Sequence, residues 1–483
     1  MADKKFDEIY QRLSRIGAAI EKTGGNSLLS GNLSLCDPDD ADIFYITASG
    51  SQCGALNPTD IVQLRFSRRS RNDNRASTET PTHRKVLNIT GVNAVVHAHC
   101  FNSTLISFDT GEQQLFLQHL GKDRKGRDEF LFLPIDLYGS FCIGEVPVNS
   151  YFEPVGSAEM EERIPQYLTE NQSTIVQAHG PFIRANSPEK ALHLLTILDI
   201  SAEMAVCLRR RSIDVIKIQR LLQDKSWKSF FPVQPHQFQD IDFTCCDIKE
   251  KSVIQDFKQR LIYNFNHRLS GFATGSMSLK VSDTEMIYCP LSALPENFSI
   301  PLLKKSIKPG SEDSLDLKIH KLIYQNTDQN SCMITVSPRA VAEGMVVLAE
   351  KYGIEVLSGD VSSISYTNRE HPVITAVDAE AGYCSPELGV VDITQITNLT
   401  SDNPIPDMLR KYKGCCVVAN YGVVSTSRNG LEQTACKAFL AERIAGFRQE
   451  AWINQNIQDV AAVNDFHHKN RSANKKIKQN GRE

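Results

Sequence analysis

Charge of one sign, long apolar runs and paired cysteines are all scarce in this chain of 483 residues. Lys and Arg number 53 against 57 Asp and Glu, a net charge of −4, which gives no electrostatic pull toward nucleic acid or an acidic membrane surface. No apolar run is expected to reach the roughly 18 residues a membrane span needs. The opening segment, MADKKFDEIYQRLSRIG, is charged and helical in pattern and lacks the apolar core of a signal peptide. The 13 cysteines are scattered, with adjacent pairs only at Cys245–Cys246 and Cys415–Cys416 and no C-x-x-C metal knuckle. They read as reduced thiols, mostly small apolar filler. Together these absences predict a soluble, cytoplasmic protein with neither nucleic acid nor membrane as partner.

What is present is an ordinary globular balance, 41% hydrophobic and 23% charged, at a length that favours two domains. The chain also resembles itself. Ser30-Gly-Asn-Leu-Ser-Leu35 is answered by Thr274-Gly-Ser-Met-Ser-Leu279, Ser77–His83 by Ser314–His320, and Ile175–Gly180 by Val417–Gly422. Three matches in one order, at a nearly constant offset of about 240 residues, point to a domain-length duplication. The expected division is 1–223, a linker over 224–247 (two prolines and no sustained period), a second domain over 248–460, and a basic, polar, frayed tail over 461–483.

Each half then follows one plan. A helix opens it (Phe6–Thr23; Val253–Leu269), short strands follow at Asn32–Leu35, Ile43–Thr47, Ile61–Leu64 and Ala94–His99, and a helix lies over Thr80–Asn88. A strand and a long helix close it (Pro188–Leu208; Leu431–Glu450), the first of these started by Ser187 as cap and Pro188 at the first helical position. The Gly111–Asp128 stretch, rich in Gly, Lys and Asp, reads as a surface excursion. Mixed strands and helices in this order suggest an α/β sandwich with a largely antiparallel sheet.

The sharpest local signal is Val95-Val-His-Ala-His-Cys100. Alternate residues of a strand face the same way, so His97 and His99 can grip one ion. His179 ends another apolar strand and is followed by Gly180-Pro181. Three imidazoles leave a coordination position open, as a catalytic metal requires. Glu79, on the segment before the HxH strand, can serve as general acid/base if its surroundings tune it. Ser30-Gly-Asn-Leu-Ser34, Thr47-Ala-Ser-Gly50 and Ser77-Thr78 are hydroxyl- and glycine-bearing turns at strand ends, of the kind that present N–H and O–H groups to a phosphate.

The succession SGNLS, ITASG, STE-xxx-H, VVHAH and AHG before a helix resembles the class II aldolase/adducin family, clearly over Phe6–Leu208 and in outline over the second half. The resemblance implies a class II aldolase-like three-layer sandwich with a mostly antiparallel central sheet, in two tandem copies. It implies zinc or another divalent ion, one per chain, on His97, His99 and His179, with Glu79 as the acid/base. The phosphate of a small phosphorylated sugar would lie among Asn32, Thr47, Gly50, Ser77 and Thr78. Family aldolases also use a tyrosine contributed across a subunit interface, and Tyr138 of Leu133-Pro-Ile-Asp-Leu-Tyr138 matches its place. The implied reaction cleaves or forms a carbon–carbon bond in a small phosphorylated sugar or hydroxy acid through an enediolate stabilised by zinc. An epimerase, dehydratase or decarboxylase on the same site is the alternative, and a non-catalytic, adducin-like scaffold a third.

The second half departs from this pattern. His97 and His99 fall on Ile334 and Val336, His179 on Tyr421, Asn32 on Ser276 and Glu79 on Asp316. Isoleucine and valine cannot ligate a metal, so the second copy is expected to keep the fold without the site and to wall the site of the first. A homo-oligomer is expected, a dimer of chains making a ring of four domains. No counterpart of Tyr138 is evident in the second half.

Overall fold

The computed structural model describes residues 2–26, 29–111, 114–123, 125–224, 242–311, 313–358, 370–396, 399 and 402–450. Most of the expected linker, the closing stretch of the expected second domain and the whole basic tail lie outside these.

The first half runs α1 (Ala2–Lys22), β1 (Asn32–Cys36), β2 (Ile43–Thr47), β3 (Ile61–Arg65), α2 (Thr80–Leu87), β4 (Ala94–His97), α3 (Phe101–Ile106), β5 (Gln118–Lys122) and β6 (Asp128–Phe132). It continues through α4 (Leu137–Cys142), β7 (Val146–Asn149), α5 (Ala158–Glu170), β8 (Ser173–Val176), β9 (Gly180–Ala185), α6 (Pro188–Arg210) and α7 (Val215–Asp224). The strands form one nine-stranded sheet in the order β3-β2-β1-β4-β9-β8-β7-β6-β5. Every pairing is antiparallel except β7 with β8. Both faces are covered. Along β2, Ile43 and Tyr45 face the core under α1 and α6, while Phe44 and Ile46 face a second core with Val86 of α2 and Met160, Ile164 and Leu168 of α5. That alternation of two apolar faces makes the half a three-layer α/β sandwich.

Two expectations need correction. The Gly111–Asp128 stretch is not merely an excursion, because Gln118–Lys122 pairs with β6 and becomes the sheet's edge. Also, α6 is by length and composition apolar enough to cross a membrane. Its apolarity has another cause: it is the core helix of the molecule, buried from Ala191 to Leu208 between the first sheet and the second half.

The second half runs α8 (Lys251–Asn266), β10 (Ser276–Lys280), β11 (Glu285–Cys289), β12 (Leu303–Ser306), α9 (Leu315–Asn326), β13 (Ser331–Thr335), α10 (Pro338–Tyr352), β14 (Val373–Thr375) and α11 (Ala379–Cys384). Then come β15 (Glu387–Val391), α12 (Pro404–Lys411), β16 (Cys415–Val418), β17 (Gly422–Ser427) and α13 (Leu431–Arg448). Its sheet, β12-β11-β10-β13-β17-β16-β15-β14, repeats the order of the first without the outermost strand, again with one parallel pair, β15 with β16. Asn32 faces His97 across β1 and β4, and Ser276 faces Ile334 across β10 and β13.

The halves share one continuous apolar core. Helix α6 packs on α10, and Arg211, just past α6, reaches the fully buried Glu343 of α10 with Nη1 2.7 and 2.8 Å from its oxygens.

Candidate metal centre

The β1 and β4 ladder fixes the site from below. Strand β4 ends at His97, two residues earlier than the sequence suggests, and the chain then turns, the His99 N–H donating to Gly25 O (2.8 Å) and to Asn26 Oδ1 (3.1 Å). The ring of His97 stacks on Phe182 of β9 with centroids 4.0 Å apart. Its Nδ1 lies 3.0 Å from Pro181 O, so this nitrogen carries the proton and Nε2 presents its lone pair. His179 is held similarly by the Pro154 carbonyl.

These constraints aim three ring nitrogens at one point. His97 Nε2 is 3.1 Å from His99 Nε2 and 2.7 Å from His179 Nε2. Burial holds His97 and His99 below the ordinary histidine range and lowers His179 to about 3, so all three are neutral ligands near neutral pH. Unprotonated nitrogens this close repel one another unless a cation or a shared proton lies between them. The donor set therefore fits a divalent ion with an open position.

Glu79 occupies the N-cap of α2 but makes no capping bond; its side chain turns into the site instead. Oε2 lies 3.5 Å from His97 Nε2 and accepts from Asn32 Nδ2 at 2.6 Å. Oε1, 3.6 Å from His179 Nε2, is buried with no hydrogen-bond partner. A buried carboxylate oxygen left unpaired among three imidazoles is costly unless a cation or ligand meets it. Burial raises the Glu79 pKa and the bond from Asn32 opposes that, which moves the group toward the range of a working acid/base.

The turns expected to hold phosphate are pinned together: Ser77 N donates to Thr47 O, Ser49 N to Arg75 O, and Ala48 bridges Ala76. Their side chains divide into two groups. Asn32 is committed to Glu79, and buried Thr47 accepts from the Leu33 N–H through Oγ1. Ser77 accepts from the Glu79 N–H, while Thr78 and Gly50 (φ 72°) are exposed at the rim.

Tyr138 requires a correction. It is buried away from these histidines, its hydroxyl donating to Asp316 of the second half at 3.2 Å and its ring stacked on Tyr421. The first half thus walls the pocket of the second, the reverse of the expected direction. In that pocket Tyr421 also donates to Asp316, and His320 bonds Ser276 and Ser278, so the matched positions are filled with a closed hydrogen-bond network.

Two contributors escaped the sequence reading. Asn26 orients His99, and Gly31 (φ 77°) must be glycine because a Cβ would sit 2.6 Å from the Asn26 amide. The 152–156 loop reaches the site through Pro154, which meets His179, and through the Gly156 N–H, whose dipole favours the charged form of Glu79. Asn26 lies in a Gly-Gly-Asn turn, a visible signal; the loop carries none.

Residues 11–206 match the family model described as the class II aldolase and adducin N-terminal domain. Among curated proteins, the chain is similar to 3-oxo-tetronate 4-phosphate decarboxylase of Escherichia coli (strain K12), 26% identical over 211 residues, covering 44% of this chain and 92% of that protein. It is also similar to methylthioribulose-1-phosphate dehydratase of Leptospira biflexa serovar Patoc, 24% identical over 186 residues, 34% of this chain and 84% of that one. Among solved structures, L-fuculose-1-phosphate aldolase from Thermus thermophilus matches at 25% identity over 42% of this chain and 94% of its own, with a TM-score of 0.35.

Proposed function

We propose that this chain, whose residues 11–206 form a domain of the class II aldolase and adducin family, is a metal-dependent lyase with one working site, in its first half. The observation that carries the reading is the meeting of three neutral imidazoles with the unpaired Oε1 of buried Glu79. His97, His99 and His179 would hold zinc or another divalent ion, and Asp316, Ile334, Val336 and Tyr421 leave the second half, a degenerate copy, without one. A divalent ion held there would supply Lewis-acid chemistry, polarisation of a substrate carbonyl oxygen and stabilisation of the negative charge left when a carbon–carbon bond breaks.

The protein groups divide the remaining work. Pro181 O fixes the tautomer of His97. Asn32 holds one oxygen of Glu79 and leaves the other free to take or give a proton at the reacting carbon. Gly50, Ser77 and Thr78 bind the phosphate of a small sugar-like substrate through N–H and O–H groups. Asn32 and Thr47 serve the phosphate only indirectly, by shaping Glu79 and the turn.

Decarboxylation is the second reading, favoured by the similarity to the tetronate phosphate enzyme. Both reactions break a bond to a carbon next to a polarised carbonyl. Metal content comes first as a test: about one divalent ion per chain is expected, lost in a His97→Ala, His99→Ala double variant. Absence of bound metal even after zinc is supplied refutes the proposal. Release of an aldehyde from phosphorylated keto-sugars, against release of carbon dioxide from phosphorylated 3-oxo sugar acids, separates the two reactions.

A further inference from the structure

Helix α3 stands between two of the three histidines. It begins two residues after His99, and its other end holds the turn that carries His179. There Ser107 Oγ accepts from the Ala178 N–H (3.0 Å), and Thr104 Oγ1 donates to His179 O (3.5 Å). Six residues are too few for a helix to hold itself, and the N-cap residue, Cys100, supplies no side-chain cap. The missing acceptor comes from α6. Asp199 Oδ1 accepts from the N–H groups of Asn102 (3.0 Å) and Ser103 (3.1 Å), and Oδ2 accepts from Asn102 Nδ2 (3.2 Å). A carboxylate there also meets the positive end of the helix dipole.

On the other flank of His99 lies the 23–26 turn, whose Gly25 O and Asn26 Oδ1 take its N–H. One side chain of the second half grips both flanks. Arg268, just past α8, donates through Nη1 to Thr23 O and through Nη2 to Asp199 Oδ2 (2.9 Å) and Glu203 Oε2 (2.9 Å). Asp199 and Glu203 lie one turn apart on α6, both buried, so their like charges oppose each other until a cation joins them. Arg339 Nε meets the other oxygen of Glu203 (3.3 Å); Arg268 bridges the pair. It does so with its backbone in the left-handed region (φ 54°), which residues with a side chain seldom adopt. Counting back from the matched Thr274 and Ser30 puts Gly24 (φ 75°) at its place in the first half. The second copy thus carries an arginine, with its backbone strain, where the first has a glycine that bears none.

We propose that Arg268 is a positioning residue for the first-half metal centre, an inference that rests on the metal-site reading above. By tying Thr23 to Asp199 it closes a frame around His99 and, through α3, sets His179 relative to it. The hold is indirect: the guanidinium touches the elements that carry the ligands, not the ligands. The second half thereby has a use that needs no ligands of its own, because its arginine keeps the imidazoles of the first half in register.

The test measures cobalt affinity, the visible cobalt spectrum, the urea midpoint and hydrogen exchange over residues 99–107 in the full chain, in Arg268→Met and in Arg211→Met. The second variant cuts another ionic tie between the halves, about 18 Å along α6 from Asp199. Arg268→Met is expected to bind cobalt about tenfold more weakly, with an altered spectrum and faster exchange at Asn102 and Ser103. Arg211→Met is expected to lower the urea midpoint and leave cobalt affinity, spectrum and that exchange unchanged. An Arg268→Met protein with wild-type cobalt affinity and spectrum overturns the inference, whatever its exchange. So does a loss of affinity that is equal in both variants and follows their urea midpoints. If none of the proteins binds cobalt, exchange decides alone. Faster exchange in Arg268→Met only then supports the clamp while the metal reading falls, and equal exchange overturns both. Should Arg268→Met not fold, Arg268→Gln, which can still donate one bond, is judged by the same outcomes.

Discussion

Tyr138 of the first half and Tyr421 of the second lie with their rings 18° from parallel and 5.9 Å apart, both hydroxyls donating to Asp316. Asp316 is half-buried, and the withdrawal of its carboxylate from water raises its pKa against the pull of its hydroxyl donors. Asp316, at the position that Glu79 holds in the first half, thus ties the halves together.

Tyr138→Phe should therefore act as a stability change. Removing one donor from a half-buried carboxyl is expected to cost about 1–3 kcal/mol in urea unfolding. Metal content at His97, His99 and His179 should not move; its loss would contradict the placement of Tyr138 in the second-half pocket.

Glu79→Gln keeps the shape and the bond from Asn32 in modified form but removes the exchangeable charge. The metal should remain bound, with kcat lower by about 10²–10⁴-fold once a substrate is found. Unchanged turnover would remove Glu79 from proton transfer.

Glu343 carries a buried ionic tie between the halves. Its carboxylate meets Arg211 Nη1 at 2.7 and 2.8 Å and Arg448 Nε at 2.6 Å, with no solvent exposure. Glu343→Gln leaves two guanidinium groups poorly compensated and should destabilise the chain by about 3 kcal/mol, read as a lower urea midpoint.

Acid should weaken the fold through two matched histidines. His83, bonded to Ser34, and His320, bonded to Ser276 and Ser278, are both buried and lowered from 6.5 to about 3. Between those values the unfolded chain binds protons that the folded chain refuses, so stability is full above pH 6.5 and falls as the pH drops. From pH 6.5 to 5 each should cost about 2 kcal/mol. A His83→Gln, His320→Gln variant should lose less stability over that interval; an equal loss would show that other groups drive it.

Much of the site was legible in the sequence because its parts obey local rules. The HxH spacing brings His97 and His99 together although β4 ends at His97, His179 sits in the turn that Gly180-Pro181 leads into β9, and Ser77-Thr-Glu79 opens a helix beside them. Asn32 and Thr47 sat in the right turns, but their partners could not be read, since Asn32 meets Glu79 across 47 residues and Thr47 bonds a strand neighbour. The edge strand at Gln118–Lys122 was hidden by its Gly- and Lys-rich composition, and the apolar length of α6 reflects burial from several sides.

By itself, the sequence determined which residues could serve as metal ligands, the repeated order of motifs and the absence of matching histidines in the second half, because residue identity alone decides whether a position can bind a metal. Only the tertiary structure decided where Tyr138 goes and what stands opposite it. That depends on how two sheets dock through α6 and α10, a packing of side chains far apart in the chain, which no local pattern encodes.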